Sequence, residues 1–321
     1  MCNLTTINVK AFVEENEDGS HYLDLEGLKR AQALSARIGL RMTLSPLEID
    51  SWNEIQQRDR LIGTSVTGWK DALALVGATE EDEEKWMNEL RAASRNEADA
   101  YAKTLRVNAP LLATTVKPEG TLSQVAGGVS PGVHMSHSPF YVRRVRINAT
   151  DPLVKVAREL DWKIHAEVGT NGLYSEEDLA DESVIEMART VVIDFPVASG
   201  AKRTKEDTNV DEQFDTYFRF QKNYVEHNAS NTIDVKPGEW GQAEQRVWDG
   251  WDNFVGVSFL SHDGGTYTLA PYEAITEEQY AERKKDMKPF DAALLQQFEA
   301  NETTADLDNM DGCAAGVCPI R

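Results

Sequence analysis

The three cysteines of this 321-residue chain stand at its two ends: Cys2 at the start, Cys313 and Cys318 near the finish. Buried cysteine packs as a small hydrophobe, and an ordinary core would scatter a few through its middle. The pair near the finish sits in Cys313-Ala-Ala-Gly-Val-Cys318-Pro-Ile-Arg321, among small residues. A dithiol on such an arm suits thiol–disulfide exchange, because it can visit a partner sulfur and swing out to be re-reduced. Two unrelated surface thiols on a frayed end carry the same signature. A structural zinc site is disfavoured, since no second Cys/His pair stands at usable spacing.

Further candidates lie mid-chain, in Leu111-Leu-Ala-Thr-Thr-Val-Lys-Pro118-Glu-Gly-Thr-Leu-Ser-Gln-Val125. An apolar strand ends at Lys117, Pro118 makes the turn, and Gly120-Thr121-Leu122-Ser123 opens a helix. Backbone N–H groups at a helix start, helped by Thr and Ser hydroxyls, suit a phosphate. This is not a Walker loop, because the Gly-x-x-x-x-Gly-Lys-Ser/Thr spacing is absent. A capped strand–helix turn without a ligand accounts for the same residues. The glycine-rich Ala126-Gly-Gly-Val-Ser-Pro-Gly-Val-His134-Met-Ser-His137 follows as a loop near that strand end, where α/β folds place concave sites. His134 and His137 could ligate a metal or move protons, but no carboxylate–His spacing accompanies them, which argues against a metal. Tyr141-Val-Arg143-Arg144-Val-Arg146 is a basic strand in an acidic chain. Alternation turns Arg143 one way and Arg144 and Arg146 the other. One could reach phosphate; salt bridges to acidic helices suit the rest.

The elements that must position these residues read as α/β. Strand candidates are Leu4 to Val9, Leu61 to Thr67, Leu111 to Val116, Tyr141 to Ile147, Thr190 to Phe195, Asn231 to Val235 and Phe254 to Leu260. Helices are expected over Leu25 to Arg37, Pro46 to Gln57, Trp69 to Val76, Asp82 to Leu105, Pro152 to Leu160, Asp211 to His227 and Gly241 to Trp251. Thr79 is a candidate cap before Glu80-Glu81-Asp82-Glu83-Glu84. From about Phe290 the chain turns polar and acidic and reads as a linker to the terminal dithiol. A net charge of −21 disfavours general nucleic-acid binding, which needs cationic surface. Any phosphate must therefore be held by a local pocket. No apolar run approaches the ~20 residues of a membrane helix and no charged-then-apolar leader opens the chain. With three cysteines, the cytoplasm is the default compartment.

Cys2-Asn-Leu-Thr-Thr-Ile-Asn, Arg60-Leu-Ile-Gly63-Thr-Ser-Val-Thr-Gly68, Val116-Lys-Pro-Glu-Gly-Thr-Leu-Ser-Gln124, Tyr141-Val-Arg-Arg-Val-Arg146 and Cys313-x4-Cys318-Pro closely resemble ribonucleotide reductase catalytic chains. Among these the adenosylcobalamin-dependent (class II) ribonucleoside-triphosphate reductases match best. The resemblance runs in order along the whole chain and implies the carboxyl-terminal part of such an enzyme. It implies an α/β fold: half of a ten-stranded barrel over residues 1–290, with a cobalamin-contacting region, and a flexible tail over 291–321. It further implies that Cys2 and a partner cysteine reduce the substrate's 2′ carbon and become a disulfide. Cys313 and Cys318 would then reduce that disulfide and be reset by a thioredoxin-like reductant. Pro118, Glu119, Gly120, Thr121, Leu122 and Ser123 match the loop that seats the phosphates of the ribonucleotide substrate.

The departures are as informative. The family's radical cysteine and acid–base carboxylate lie in an Asn-x-Cys-x-Glu run that this chain lacks. The expectation is a split enzyme, inactive alone, completed by an amino-terminal reductase chain carrying that run. Absence of an adjacent Tyr-Tyr pair and of a four-cysteine zinc site leaves adenosylcobalamin as the implied radical source. The corrin is expected against Arg146 to Lys205 and from Gly264 onward, with no residue singled out. The competing readings are a non-catalytic relic, a corrinoid or nucleotide binder, and a plain thiol–disulfide oxidoreductase. The last is weakened by the lack of a Cys-x-x-Cys at a helix start.

Overall fold

The computed structural model describes residues 3–262 and 267–300. In chain order its elements begin β1 (Asn3–Asn8), β2 (Val13–Glu15), β3 (His21–Leu23), α1 (Leu25–Met42), α2 (Asp50–Asp59), β4 (Ile62–Thr67), α3 (Trp69–Val76), α4 (Glu80–Leu105) and α5 (Leu122–Val125). They continue with β5 (Phe140–Asn148), α6 (Pro152–Glu159), β6 (Ile164–Ala166), α7 (Glu176–Leu179), α8 (Glu182–Met187) and β7 (Thr190–Ala198). Last come α9 (Val210–Asn223), β8 (Thr232–Val235), α10 (Trp240–Asp249), β9 (Ser258–Ser261), β10 (Tyr272–Ala274), α11 (Glu277–Lys285) and α12 (Ala292–Ala300). The chain forms two units, Met1–Pro139 with Ser199–Asp263, and Phe140–Ala198 with Gly264–Arg321. The boundary expected at residue 290 falls inside the second.

The first unit is built on parallel pairing. β1 lies beside β4, Asn3 opposite Ile62 through Asn8 opposite Thr67. Bridges from Thr64 to Thr114 and from Val116 to Ala229 continue the run, and β8 pairs with β9, all in parallel. The strand expected over Leu111 to Val116 is present only as these isolated bridges. Its N–H groups alternate between two neighbours, Thr115 donating to Thr64 and Val116 to Asn228. Pro118, which has no N–H to donate, follows directly.

Helices α1 and α4 cover one face of β1 and β4. Helix α4 starts where its sequence demands: Thr79 and Asp82 close a capping box, and acidic residues fill the positive first turn. Small buried residues (Ser35, Ala36 and Gly39 on α1; Ser94, Ala98 and Ala102 on α4) allow close approach to the strands. Thr64 Oγ1 meets Ser94 Oγ at 2.9 Å, and Ser35 Oγ donates to Thr5 Oγ1 at 2.7 Å. Beyond them Val66, Trp69, Met87, Leu90, Tyr217 and Phe220 form the main core. Trp69 meets Phe220 edge-on, with ring centres 5.2 Å apart.

The second unit is an antiparallel sheet in the order β10-β5-β7-β6. β5 and β7 pair over nine residues, Phe140 opposite Ala198 through Asn148 opposite Thr190. Val154, Leu179, Ile185, Val191 and Ile193 fill its core. β6 and β10 escape sequence reading because three residues are too few to show an alternation. The linker expected from about Phe290 is, in its described part, helix α12. Its Ala, Leu, Gln and Glu residues are strong helix formers. Just before it, Lys288 O accepts from Trp162 Nε1 at 2.8 Å, and Phe290 lies against the same ring.

Candidate functional site

Strand periodicity separates the two faces of β1 and β4. Asn3, Thr5 and Ile7, opposite Ile62, Thr64 and Val66, face the helices. Leu4, Thr6 and Asn8, opposite Gly63, Ser65 and Thr67, form the other face. Thr115 shares that face, since a Cβ at Gly63 would lie 2.5 Å from Leu4 Cδ2 and 2.7 Å from Thr115 Cγ2. Toward the carboxyl ends of the strands this face becomes polar.

The loop 117–137 is bonded onto those strand ends. Lys117 N–H donates to Ser65 Oγ at 2.9 Å. Thr67 Oγ1 donates to Ser130 O at 3.0 Å and accepts Gly132 N–H at 3.1 Å. Asp71, at the start of α3, accepts Ser130 N–H at 2.8 Å and the Ser136 hydroxyl at 3.3 Å. Lys10 Nζ lies 3.7 Å from the same carboxylate. Gly132 has φ +54°, and a Cβ there would lie 2.6 Å from Lys117 O. Only glycine lets the two arms of the loop meet at this point.

The six residues expected to seat phosphate divide by exposure. Pro118, Gly120, Thr121 and Leu122 are exposed, whereas Glu119 and Ser123 are buried. The expected helix is the short α5, tied back by Ser123 N–H on Glu119 O at 3.0 Å. A Cβ added to Gly120 meets nothing within 4 Å, so there is open space above it. Glu119 does not point there. With φ +58° it folds into the strand ends, where Oε1 accepts the Thr6 hydroxyl at 2.6 Å and lies 3.6 Å from Lys117 Nζ. Its Oε2 is buried without a partner, as is Asn8 Oδ1. Thr6 and Asn8 are not among the sequence candidates, and Lys117 enters there only as a strand end. The signal of the first two is an i, i+2 polar spacing about Ile7 on β1, blurred by the equally polar Thr5 just before them. Cys2, Cys313 and Cys318 lie outside the described residues.

His134 and His137 belong to the same loop. His134 Nδ1 lies 3.0 Å from Pro131 O, and Nε2 accepts Thr232 N–H at 3.0 Å, which requires the neutral ring with its proton on Nδ1. Burial pushes this imidazole below its usual range, only partly offset by the Pro131 carbonyl. His137 is pushed down to about 4, by burial first and Lys205 second. In the unfolded chain both rings bind protons below about pH 6.5. The unfolded state therefore binds more protons between that value and about 4, so stability is complete above pH ~6.5 and falls as pH drops through the window. Urea midpoints measured from pH 7.5 down to 4.5 should decline, and His134→Gln should flatten the decline. A midpoint independent of pH would refute this.

The basic strand is consumed within the second unit. The Arg144 side chain is wholly buried; Nε meets Asp194 Oδ1 at 3.1 Å, and the guanidinium also reaches Glu176 and Glu273. Arg143 lies over the Tyr272 ring at 4.7 Å. Arg146 donates to Leu269 O at 3.1 Å. One ligand atom each of His165, Glu176 and Asp194 lie within 4.8 Å of one another. The same carboxylates already hold Arg144, Arg283 and Lys163. With that charge compensated, the cluster is an ion network rather than a cation site. Burial pushes Asp194 up, but His165, Arg144 and Arg283 outweigh it and leave the carboxyl below its usual range.

No family model matches the chain. Over 288 aligned residues, 87% of its length, it is 31% identical to the adenosylcobalamin-dependent ribonucleoside-triphosphate reductase of Euglena gracilis, of which it covers 37%. It is 26% identical over 92% of its length to the enzymes of the same name from Lactobacillus delbrueckii subsp. bulgaricus and Lactobacillus leichmannii. The chain is a relative of the adenosylcobalamin-dependent ribonucleotide reductases. It spans 41% of the length of these two Lactobacillus relatives. Its fold matches a crystal structure of a B12-dependent (class II) ribonucleotide reductase with a TM-score of 0.74, at 24% identity, covering 94% of this chain and 42% of that one.

A corrin seat needs open surface with polar groups left to bind it. Between residues 146 and 205 and from 267 onward, the buried polar atoms without hydrogen-bond partners are, among the described residues, the ring nitrogens of His165. That ring is fully enclosed. Among the described residues of that segment, no orphaned buried polar atom faces an open surface that would mark a corrin seat.

Proposed function

We propose that this chain contributes the phosphate-seating loop and the reducing cysteines of a ribonucleotide reductase. The observation that carries the reading is the loop 117–137 bonded across polar strand ends, in a chain similar to such reductases over 92% of its length. Phosphates would lie over Gly120 to Leu122, where the turn is exposed and the space is open. Cys2 directly precedes β1 in the sequence. Together with a cysteine from a second, amino-terminal chain it would supply two electrons and two protons. The 2′ hydroxyl then leaves as water, hydrogen takes its place on carbon, and the two thiols become a disulfide. Cys313 and Cys318 would return that disulfide to thiols by exchange, becoming oxidised themselves until a thioredoxin-like protein resets them.

The Asn-x-Cys-x-Glu run is not among these residues, so abstraction of the 3′ hydrogen would fall to whatever polypeptide carries it, in this proposal the amino-terminal chain. The relatives are named for adenosylcobalamin, and the completed assembly would draw its radical from it. The assay is conversion of a ribonucleoside triphosphate to its 2′-deoxy form with adenosylcobalamin and thioredoxin. The chain alone should be inactive, and mixing with a chain carrying Asn-x-Cys-x-Glu should restore turnover. Cys313→Ser in the mixture should abolish thioredoxin-driven turnover while leaving a single turnover from pre-reduced protein. Full activity of the isolated chain would sink the two-chain proposal. Corrin binding with no gain of activity beside the partner would favour a non-catalytic binder.

A further inference from the structure

We infer that Lys117 is the cation that meets the substrate's phosphates and that Glu119 competes with them for it. The inference rests on the phosphate-seating reading above and goes beyond it by assigning a sign to each residue. Between Lys117 and His137 the chain contains one lysine and no arginine, and one glutamate and no aspartate. The loop's single cation and single anion are paired with each other, Nζ to Oε1 at 3.6 Å.

The two partners are held very differently. Glu119 is fixed: its side chain is 1% exposed, its backbone is left-handed, and the Thr6 hydroxyl donates to Oε1. Lys117 is anchored by its backbone on Ser65, but its side chain is 29% exposed and reaches solvent. Glu119 Oε2 has no donor although it is buried. A buried carboxylate this poorly satisfied depends strongly on the nearby ammonium. A phosphate chain settling over Gly120 has no other loop cation to use, so it must draw Lys117 away from Glu119. A compact ammonium on a long stem suits such an exchange better than a planar guanidinium would. Glu119 thereby weakens phosphate binding, which favours product release.

The test is calorimetric titration of the full chain with inorganic tripolyphosphate at low ionic strength, where surface electrostatics is least screened. Lys117→Met should weaken binding about tenfold, the size of one charge-assisted hydrogen bond. Glu119→Gln keeps an acceptor for Thr6 while removing the charge, and should tighten binding about three- to tenfold. In the double variant the gain from Glu119→Gln should vanish, because it acts through Lys117. A purely structural Glu119 would give weaker or unchanged binding on Glu119→Gln, and that result overturns the inference. A gain that persists without Lys117 overturns it as well. Thermal melts check that each variant is folded, and Lys117→Gln replaces Lys117→Met if the latter melts early. If turnover is restored in the two-chain mixture but these signs fail, only this inference falls. No binding of tripolyphosphate to the wild-type chain defeats the inference and the phosphate loop together.

Discussion

Arg144→Met should cost the second unit about 3–5 kcal/mol, the usual penalty for removing one partner of a buried ion network. The guanidinium is wholly buried and serves Asp194, itself 2% exposed, together with Glu176 and Glu273. Methionine fills much of the space but leaves Asp194 with Arg283 and His165 as its remaining partners. Burial alone would push that carboxyl up, so its charge becomes costly once Arg144 is gone. Amide exchange across β5 and β7 localises the loss to this sheet, while protection in α1 and α4 should hold. Adding Asp194→Leu should recover part of the loss, because it removes the stranded charge rather than another favourable contact. A penalty under about 1 kcal/mol, the range of exposed pairs, would mean that water reaches the network.

Gly132→Ala should cost about 2–4 kcal/mol, combining a left-handed backbone that alanine resists with an overpacked contact. The obstacle is the Lys117 carbonyl, 2.6 Å from the new Cβ, which is backbone and cannot turn aside like a side-chain tip. Relief requires the loop to lift from Thr67 and Ser65, which would also misplace Lys117. Gly120→Ala is the matching control. Its Cβ would meet nothing within 4 Å, so stability should stay within about 0.5 kcal/mol. Urea denaturation of both variants tests the contrast, and equal losses would show that the clash is not what matters.

Much of the helical framework was legible locally. The expected limits of α3, Trp69 to Val76, are those observed, and Thr79 caps α4 through Asp82 as its side chain allows. In α9 helical spacing puts Phe214, Tyr217, Phe218 and Gln221 on one stripe; Phe214 and Tyr217 are buried, Phe218 and Gln221 only partly, and Phe220 joins the buried face. Of the tail expected over 291–321, the described part Ala292–Ala300 is helix, because polarity is a weaker local determinant than the run Ala-Ala-Leu-Leu-Gln-Gln-Phe, which favours helix; the rest lies outside the described residues.

The candidate site was legible as a motif but not as a geometry. Pro118 to Ser123 could be found from a strand, a proline and a glycine in succession, and the terminal cysteines from their isolation in the sequence. That Glu119 turns inward, away from the open side of the loop, depends on Thr6, 113 residues earlier. The partners of Arg144 likewise come from 32, 50 and 129 residues away. Spacing along a chain reports which residues share a helix face or a strand face, because those periods are local. Which carboxylate meets which cation depends on how distant strands register, and only the folded chain decides that.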